Sequence, residues 1–128
     1  VTNSYYLARM MRSNAPEDRA VTERVAVVFP NQQSWGTHVN IAGAAVAKHT
    51  KHPDVAIKFM EYLASPSAQQ YFANGNNEWP VAKGVTTNNP ALKSMTGGGT
   101  FKYETIPISA VGANQVKVQQ MLDRVGFK

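Results

Sequence analysis

The stretch that opens at Pro53 constrains the fold most. Ala56, Phe59, Met60 and Leu63 recur at i, i+3, i+4 and i+7 behind a proline, which is excluded from helix interiors but suited to the first helical position. That spacing predicts an amphipathic helix whose apolar face needs a partner. Directly behind it, Ser65 and Pro66 stand at N-cap and N1 positions of a further helix, which carries Tyr71 and Phe72 and stops at Asn74 and Gly75. Earlier, Tyr6 to Ser13 reads as a short helix with Leu7, Met10 and Met11 on one side, and Pro16 starts another that runs to about Arg24. Near the end, Asn114 is predicted to cap a helix in which Val118, Met121, Leu122 and Val125 keep helical spacing until Gly126.

Between these helices, Val25 to Phe29 is an unbroken apolar, β-branched run closed by Pro30, as a buried strand would be. Thr37 to Ala42 alternates polar and apolar residues and predicts a second strand. From Asn76 to Ile108 the prolines and the Gly97-Gly98-Gly99 run predict loops without a long element. No internal repeat is visible. The length of 128 residues suits one ordinary domain. The chain nevertheless opens on Val1 without an initiator methionine or leader pattern, and its first motif arrives within a few residues, so it is expected to be a piece of a longer chain. No apolar run approaches the roughly 20 residues that span a bilayer.

The absence of cysteine excludes disulfides, thiolate metal sites and cysteine nucleophiles. A formal charge of +5 would suit an anionic partner, but the lysines and arginines are scattered singly, which reads as a solvated basic surface. No serine or threonine nucleophile with a base and an orienting partner is visible, so an enzyme is not expected.

One motif carries chemistry. Tyr5 and Tyr6 follow two helix-capping residues, Asn3 and Ser4. On a regular helix neighbours point about 100° apart and would not share a target, but at a helix start the backbone is still turning and two neighbours can converge. The same position carries unpaired amide N–H groups and the positive end of the helix dipole, which favour an anion. A phenol, with a reference pKa of about 10, is neutral at pH 7 unless a strong positive charge stabilises the phenolate. Ferric iron is a hard, oxygen-seeking cation of that kind. Taken alone, the dipeptide reads as a packed aromatic pair with its hydroxyls at the edge.

Its surroundings change that reading. "NSYYLARM", "VVFPNQ" from Val27, "GTHVNIAGAAVAKH" from Gly36 and "AIKFMEYLASPSAQQYFANGNNEWPV" from Ala56 resemble, in order and spacing, the C-terminal part of the bacterial ferric-ion-binding proteins, up to the closing "QQMLDRVGFK". Those are the periplasmic substrate-binding components of ABC-type iron importers. The resemblance departs from the family at Ala42 and Ala44, often Ser or Gly there, and at Trp79, often Tyr.

The resemblance implies an α/β, periplasmic-binding-protein-like (type II) two-lobed clamp, of which this chain is the C-terminal part. It implies Tyr5 and Tyr6 as phenolate ligands of Fe(III), and Asn3 as a contact of a synergistic anion such as carbonate, phosphate or citrate. Further ligands, a histidine, a glutamate or another tyrosine, would come from the N-terminal remainder of the protein, and an ABC permease in the inner membrane would receive the iron. Residues 1–42 would belong to the C-terminal lobe, 43–100 to the N-terminal lobe, and 101–128 to the C-terminal lobe again.

The remaining candidates read more plainly. Arg9, a turn beyond the tyrosines, either neutralises a phenolate or the bound anion, or faces water. His38 lies on an alternating stretch and reads as a hydrogen-bonded structural histidine. His49 and His52 are flanked by Lys48 and Lys51, which would repel a cation, and are expected at the surface. Glu78 reads as a turn or capping carboxylate, and Trp35 and Trp79 as packing or surface aromatics. The Gly97–Gly99 run lacks the Lys-Ser/Thr of a phosphate loop. The expected function is therefore Fe(III) capture in the periplasm without catalysis. Two alternatives are the same fold binding an organic or oxyanion solute without metal, and a small basic nucleic-acid-binding module with stacking tyrosines, which the scattered charge disfavours.

Overall fold

A computed structural model describes residues 2–127 as seven helices: α1 Ser4–Met11, α2 Pro16–Thr22, α3 Pro53–Leu63, α4 Pro66–Gly75, α5 Pro90–Met95, α6 Ile108–Ala113 and α7 Gln115–Arg124. Proline stands at the start of α2, α3, α4 and α5, where its missing N–H costs nothing because the first-turn amides have no intrahelical acceptor. At α4 the Ser65 hydroxyl accepts from the Ala68 amide at 3.3 Å, and at α5 the Asn89 carboxamide accepts from the amides of Ala91 and Leu92. The predicted loop region between Asn76 and Ile108 holds only the six-residue α5.

The chain divides into two compact units. The first comprises Val1–Phe29 and Asn40–Phe101. In it α1 packs on α2 and α5, and α3 on α4. Its core is small: Ala8, Ala91 and Leu92 are buried, with Trp79 and Met95 packed against them. An aromatic group extends it, Phe29 stacking on Phe101 at 4.3 Å between ring centroids and Trp79 meeting Phe101 edge-on at 5.3 Å. Below the core lies a buried polar node. The Asn89 side chain, 1% exposed, donates to the Ala73 carbonyl at 2.7 Å and to Asn77 Oδ1 at 2.9 Å.

The second unit comprises Pro30–Val39 and Lys102–Lys128. Its two segments meet at one parallel bridge, Thr37 with Tyr103, closed by Thr37 N–H to the Lys102 carbonyl at 2.8 Å and Glu104 N–H to the Thr37 carbonyl at 3.0 Å. Gly36 has φ of 100°, and a Cβ there would stand 2.6 Å from the Tyr103 carbonyl carbon, so only glycine permits this approach. Gln32 ties the segments again, exchanging side-chain hydrogen bonds with the backbone of Lys102 in both directions. Helices α6 and α7 pack on each other.

Several expectations need correction. Among the described residues neither Val25–Phe29 nor Thr37–Ala42 forms a strand; Thr37 alone pairs. A strand exists by hydrogen bonding to a neighbour, and among the described residues no segment makes a ladder with Val25–Phe29, where Val28 is 81% exposed. The first helix begins at Ser4, not Tyr6: Asn3 holds the N-cap position in an extended conformation without a side-chain cap hydrogen bond, and Ser4 is already helical rather than a cap. Asn114 caps no amide with its side chain. It joins α6 to α7 with helical backbone angles, and its carboxamide donates back to the Ala110 carbonyl at 2.8 Å. Helix α6 escaped notice because Ile108–Ala113 is too short for a periodic pattern.

The node at Asn89 gives a first test. Asn89→Ala removes the α5 cap and strands the Ala73 carbonyl, so unfolding free energy should fall by about 2–3 kcal/mol in urea titration. A loss no larger than that of an exposed Asn→Ala control would show that the node is not structural.

Candidate functional site

The early start of α1 decides the geometry of the tyrosines. With Asn3 as N-cap, Ser4, Tyr5 and Tyr6 occupy the first helical turn, where amide groups lack intrahelical acceptors. The two phenol rings converge, with centroids 4.2 Å apart and planes tilted by 37°. Tyr5 is half-buried and Tyr6 is 51% exposed, so one phenol is sheltered and its neighbour faces solvent.

The Tyr5 phenol is held above the ordinary tyrosine value. The largest cause is its side-chain hydrogen bond with Tyr6, followed by desolvation and by the charge of an ionised Tyr6; Asn3 pulls the other way through a side-chain hydrogen bond, and the Glu78 carboxylate adds a further upward push. In the metal-free chain Tyr5 is therefore a neutral phenol at pH 7. Asn3, Tyr5 and Tyr6 bring their oxygen-bearing side chains together at the start of α1, and the Glu78 carboxylate acts on Tyr5 through its charge. Among the described residues no group of three or more His, Cys, Asp and Glu side chains could hold a metal.

The loop after α4 surrounds the cluster. Trp79 Nε1–H donates to Ser4 Oγ at 3.2 Å, and the Val81 amide donates to Gln69 Oε1 at 2.8 Å, fixing both sides of Pro80 to helices. Glu78 closes α4 through its backbone, its amide reaching the Phe72 carbonyl at 3.4 Å, and its carboxylate opposes ionisation of Tyr5. At the other end of α1, Arg12 donates to the Asn74 carbonyl and to Asn77 Oδ1.

The other candidates sit elsewhere. Arg9 is exposed in the last turn of α1. His38 hydrogen-bonds Glu104 through Nδ1 with its ring largely in solvent, as a structural histidine beside the Thr37 bridge. His49 and His52 are both exposed, and Trp35 is a surface aromatic. Gly97 and Gly98 turn the chain at the end of α5, the Gly98 amide bonding the Lys93 carbonyl at 2.8 Å. Sequence reasoning missed Ser4, Arg12 and Asn77 as partners of the loop. The joint occurrence of the double tyrosine, "GTHVNI" and "GNNEWPV" marks the family resemblance but does not reveal these bonds.

Residues 3–96 match the family model of the bacterial extracellular solute-binding proteins, and the chain belongs to that family. Iron uptake protein A2 of Synechocystis is 42% identical to it over the whole chain, which spans 36% of that protein. A solved structure from Trichodesmium, IdiA (FutA) in complex with iron and citrate ligands, superposes with a TM-score of 0.90 at 47% identity, across 99% of this chain and 39% of that one. The ferric binding protein of Campylobacter jejuni gives a TM-score of 0.86 at 37% identity, over 100% of this chain and 39% of its own. The chain thus has the fold of the corresponding part of these periplasmic-binding-protein-like structures and spans about two fifths of their length.

The environment of Tyr5 predicts its titration. Near-ultraviolet absorbance of phenolate should show one tyrosine ionising above the usual value of about 10, and Tyr5→Phe should remove that late component. Because the folded chain holds this proton more tightly than the unfolded chain, stability should decline as pH rises from about 10 through the folded value. A titration in which Tyr5→Phe removes a component at or below 10 would contradict this environment.

Proposed function

We propose that this chain is part of a periplasmic solute-binding protein that captures Fe(III) and delivers it to an ABC-type importer in the inner membrane. The observation that carries the reading is the convergence of Tyr5 and Tyr6 on the first turn of α1, beside Asn3. The similarity to an iron uptake protein and to two iron-binding structures supports it.

Capture follows from the donor chemistry. A trivalent cation displaces the phenol protons of Tyr5 and Tyr6, which leave to solvent, and two phenolates then neutralise two of its charges. Asn3 offers its carboxamide to an anion sharing the ion, such as carbonate, phosphate or citrate, at the positive end of α1. Arg9, exposed a turn away, adds positive charge on the same helix. The remaining ligands come from the rest of the protein, and closure of two lobes around the ion couples affinity to the hinge equilibrium. Opening, with protonation of the phenolates or reduction of the iron, releases the cargo. The protein transports and catalyses no reaction.

The lobe assignment, 1–42 and 101–128 in one lobe and 43–100 in the other, belongs to this proposal. Its boundaries lie close to the unit boundaries at Val39/Asn40 and Phe101/Lys102, but the compact units group Val1–Phe29 with Asn40–Phe101, so the support is confined to the boundaries. A second reading, an organic or oxyanion solute held by neutral hydroxyls, is favoured by the raised Tyr5 phenol.

Visible absorption titration of the full-length protein with ferric citrate separates the two. A broad phenolate-to-iron charge-transfer band should appear, weaken in Tyr5→Phe and in Tyr6→Phe, and each variant should bind iron more than about 100-fold less tightly, beyond the cost of losing an outer partner of a metal site. Iron binding without the band, or with no dependence on either tyrosine, would replace this reading with the organic-solute one.

A further inference from the structure

Helix α1 is held at both ends by a single loop. Arg12, the C-cap of α1, donates to the Asn74 carbonyl and, at 2.8 Å, to Asn77 Oδ1, while Trp79 donates its indole N–H to Ser4 Oγ at 3.2 Å at the opposite end. The loop itself is fixed. Asn77 has φ of 60°, a left-handed conformation that asparagine tolerates, and its Oδ1 also accepts from the buried Asn89 at 2.9 Å. Trp79 packs against the core of Ala8, Ala91 and Leu92 and meets Phe29 and Phe101 edge-on, so its indole N–H is aimed by rigid neighbours.

We infer that Trp79 is a positioning residue for the tyrosine pair, acting through its hydrogen bond to Ser4. The inference rests on the iron–phenolate reading above. Ser4 directly precedes Tyr5 in the first turn, where the backbone lacks the ladder that fixes a helix interior, so an external hydrogen bond there sets the angle at which both phenol oxygens leave the helix. A phenolate–iron bond depends on that angle, and metal sites characteristically gain affinity from outer partners that orient their ligands. Trp79 touches no iron. It holds the turn that presents the ligands, and in doing so it links the iron-binding turn to the apolar core.

The test uses the full-length protein, ferric citrate and four variants: Ser4→Ala, Ser4→Thr, Trp79→Phe and the double Ser4→Ala/Trp79→Phe. Ser4→Ala and Trp79→Phe should each shift the charge-transfer band and weaken iron binding by about fivefold, the equivalent of one net hydrogen bond. The double variant should be no weaker than the weaker single, because both remove the same bond. Ser4→Thr, which keeps the hydroxyl, should restore band and affinity. Unchanged band position in both single variants, or losses that multiply in the double, would overturn the inference while leaving the iron reading intact. Absence of the band from the unsubstituted protein would instead overturn the iron reading, and this inference with it. Thermal unfolding of the apo variants separates a purely structural role, which would lower the melting temperature of Trp79→Phe without moving the band in Ser4→Ala.

Discussion

The carboxamide of Asn77 is the point on which the first unit depends. Its oxygen accepts from Arg12 on α1 and from Asn89 at the head of α5, and Asn77 itself ends the turn that follows α4. Three helices are thereby referred to one buried acceptor. The apolar core beside it is small, with Leu92 its one large fully buried side chain, and burying a leucine contributes about 1.5–3 kcal/mol. A hydrogen bond to a charged donor such as Arg12 contributes about as much. In so small a core the polar node therefore competes with apolar burial in strength, and it has direction, which burial lacks. On the proposed function, direction is what a helix that presents metal ligands needs.

The legibility of the sequence follows the same division between local and non-local causes. The prolines at positions 16, 53 and 66 announced helix starts because the missing N–H and fixed φ act within the residue itself, whereas Pro90, in a stretch that reads as loop, opens the short α5. Ser65 was readable as a cap because the amide that donates to its hydroxyl, that of Ala68, lies only three residues away. The strands were misread for the opposite reason. Val25–Phe29 has the composition of a buried strand, but composition records only a propensity, and pairing depends on a neighbour that no described segment supplies. The site was half legible. Tyr5 and Tyr6 stood out, and their convergence was expected from the geometry of a helix start, whereas the bonds from Trp79 and Arg12 join residues more than sixty positions apart and leave no local trace. Glu78 was read as a turn residue, and its backbone does close α4, yet its charge acts on Tyr5.

Across the tyrosine cluster the electrostatics have a consistent sense. Tyr6 and Glu78 both oppose ionisation of Tyr5, and Asn3 only partly offsets them. With Tyr5 protonated, its phenol carries no charge that the half-buried position would have to compensate. A weakly polarising divalent ion gains little by entering, since the proton must be displaced before the phenolate becomes a ligand. A trivalent oxygen-seeking ion overcomes that resistance through its charge. On the proposed function, the proton retained on Tyr5 is a threshold that an entering cation has to cross.

The same threshold makes geometry matter more than it would at a site of permanent anions. A carboxylate attracts a cation from any direction before contact, but a neutral phenol contributes its charge only once the oxygen is within bonding distance of the metal. Two phenols must therefore arrive together, at angles already suited to one ion, or neither proton is displaced. Convergence at 4.2 Å on the first turn of α1 meets that demand only if the turn does not fray, and first turns are where helices fray. The anchoring of Ser4 by Trp79 and of Arg12 by the Asn74–Asn77 segment answers this weakness at both ends of the helix. Helix α1 is eight residues long, below the length at which a helix persists in water by itself, so its rigidity is borrowed from the loop. On the proposed function, the presentation of Tyr5 and Tyr6 and the packing around Asn77 are in this sense one property, carried by a hydrogen-bonded frame.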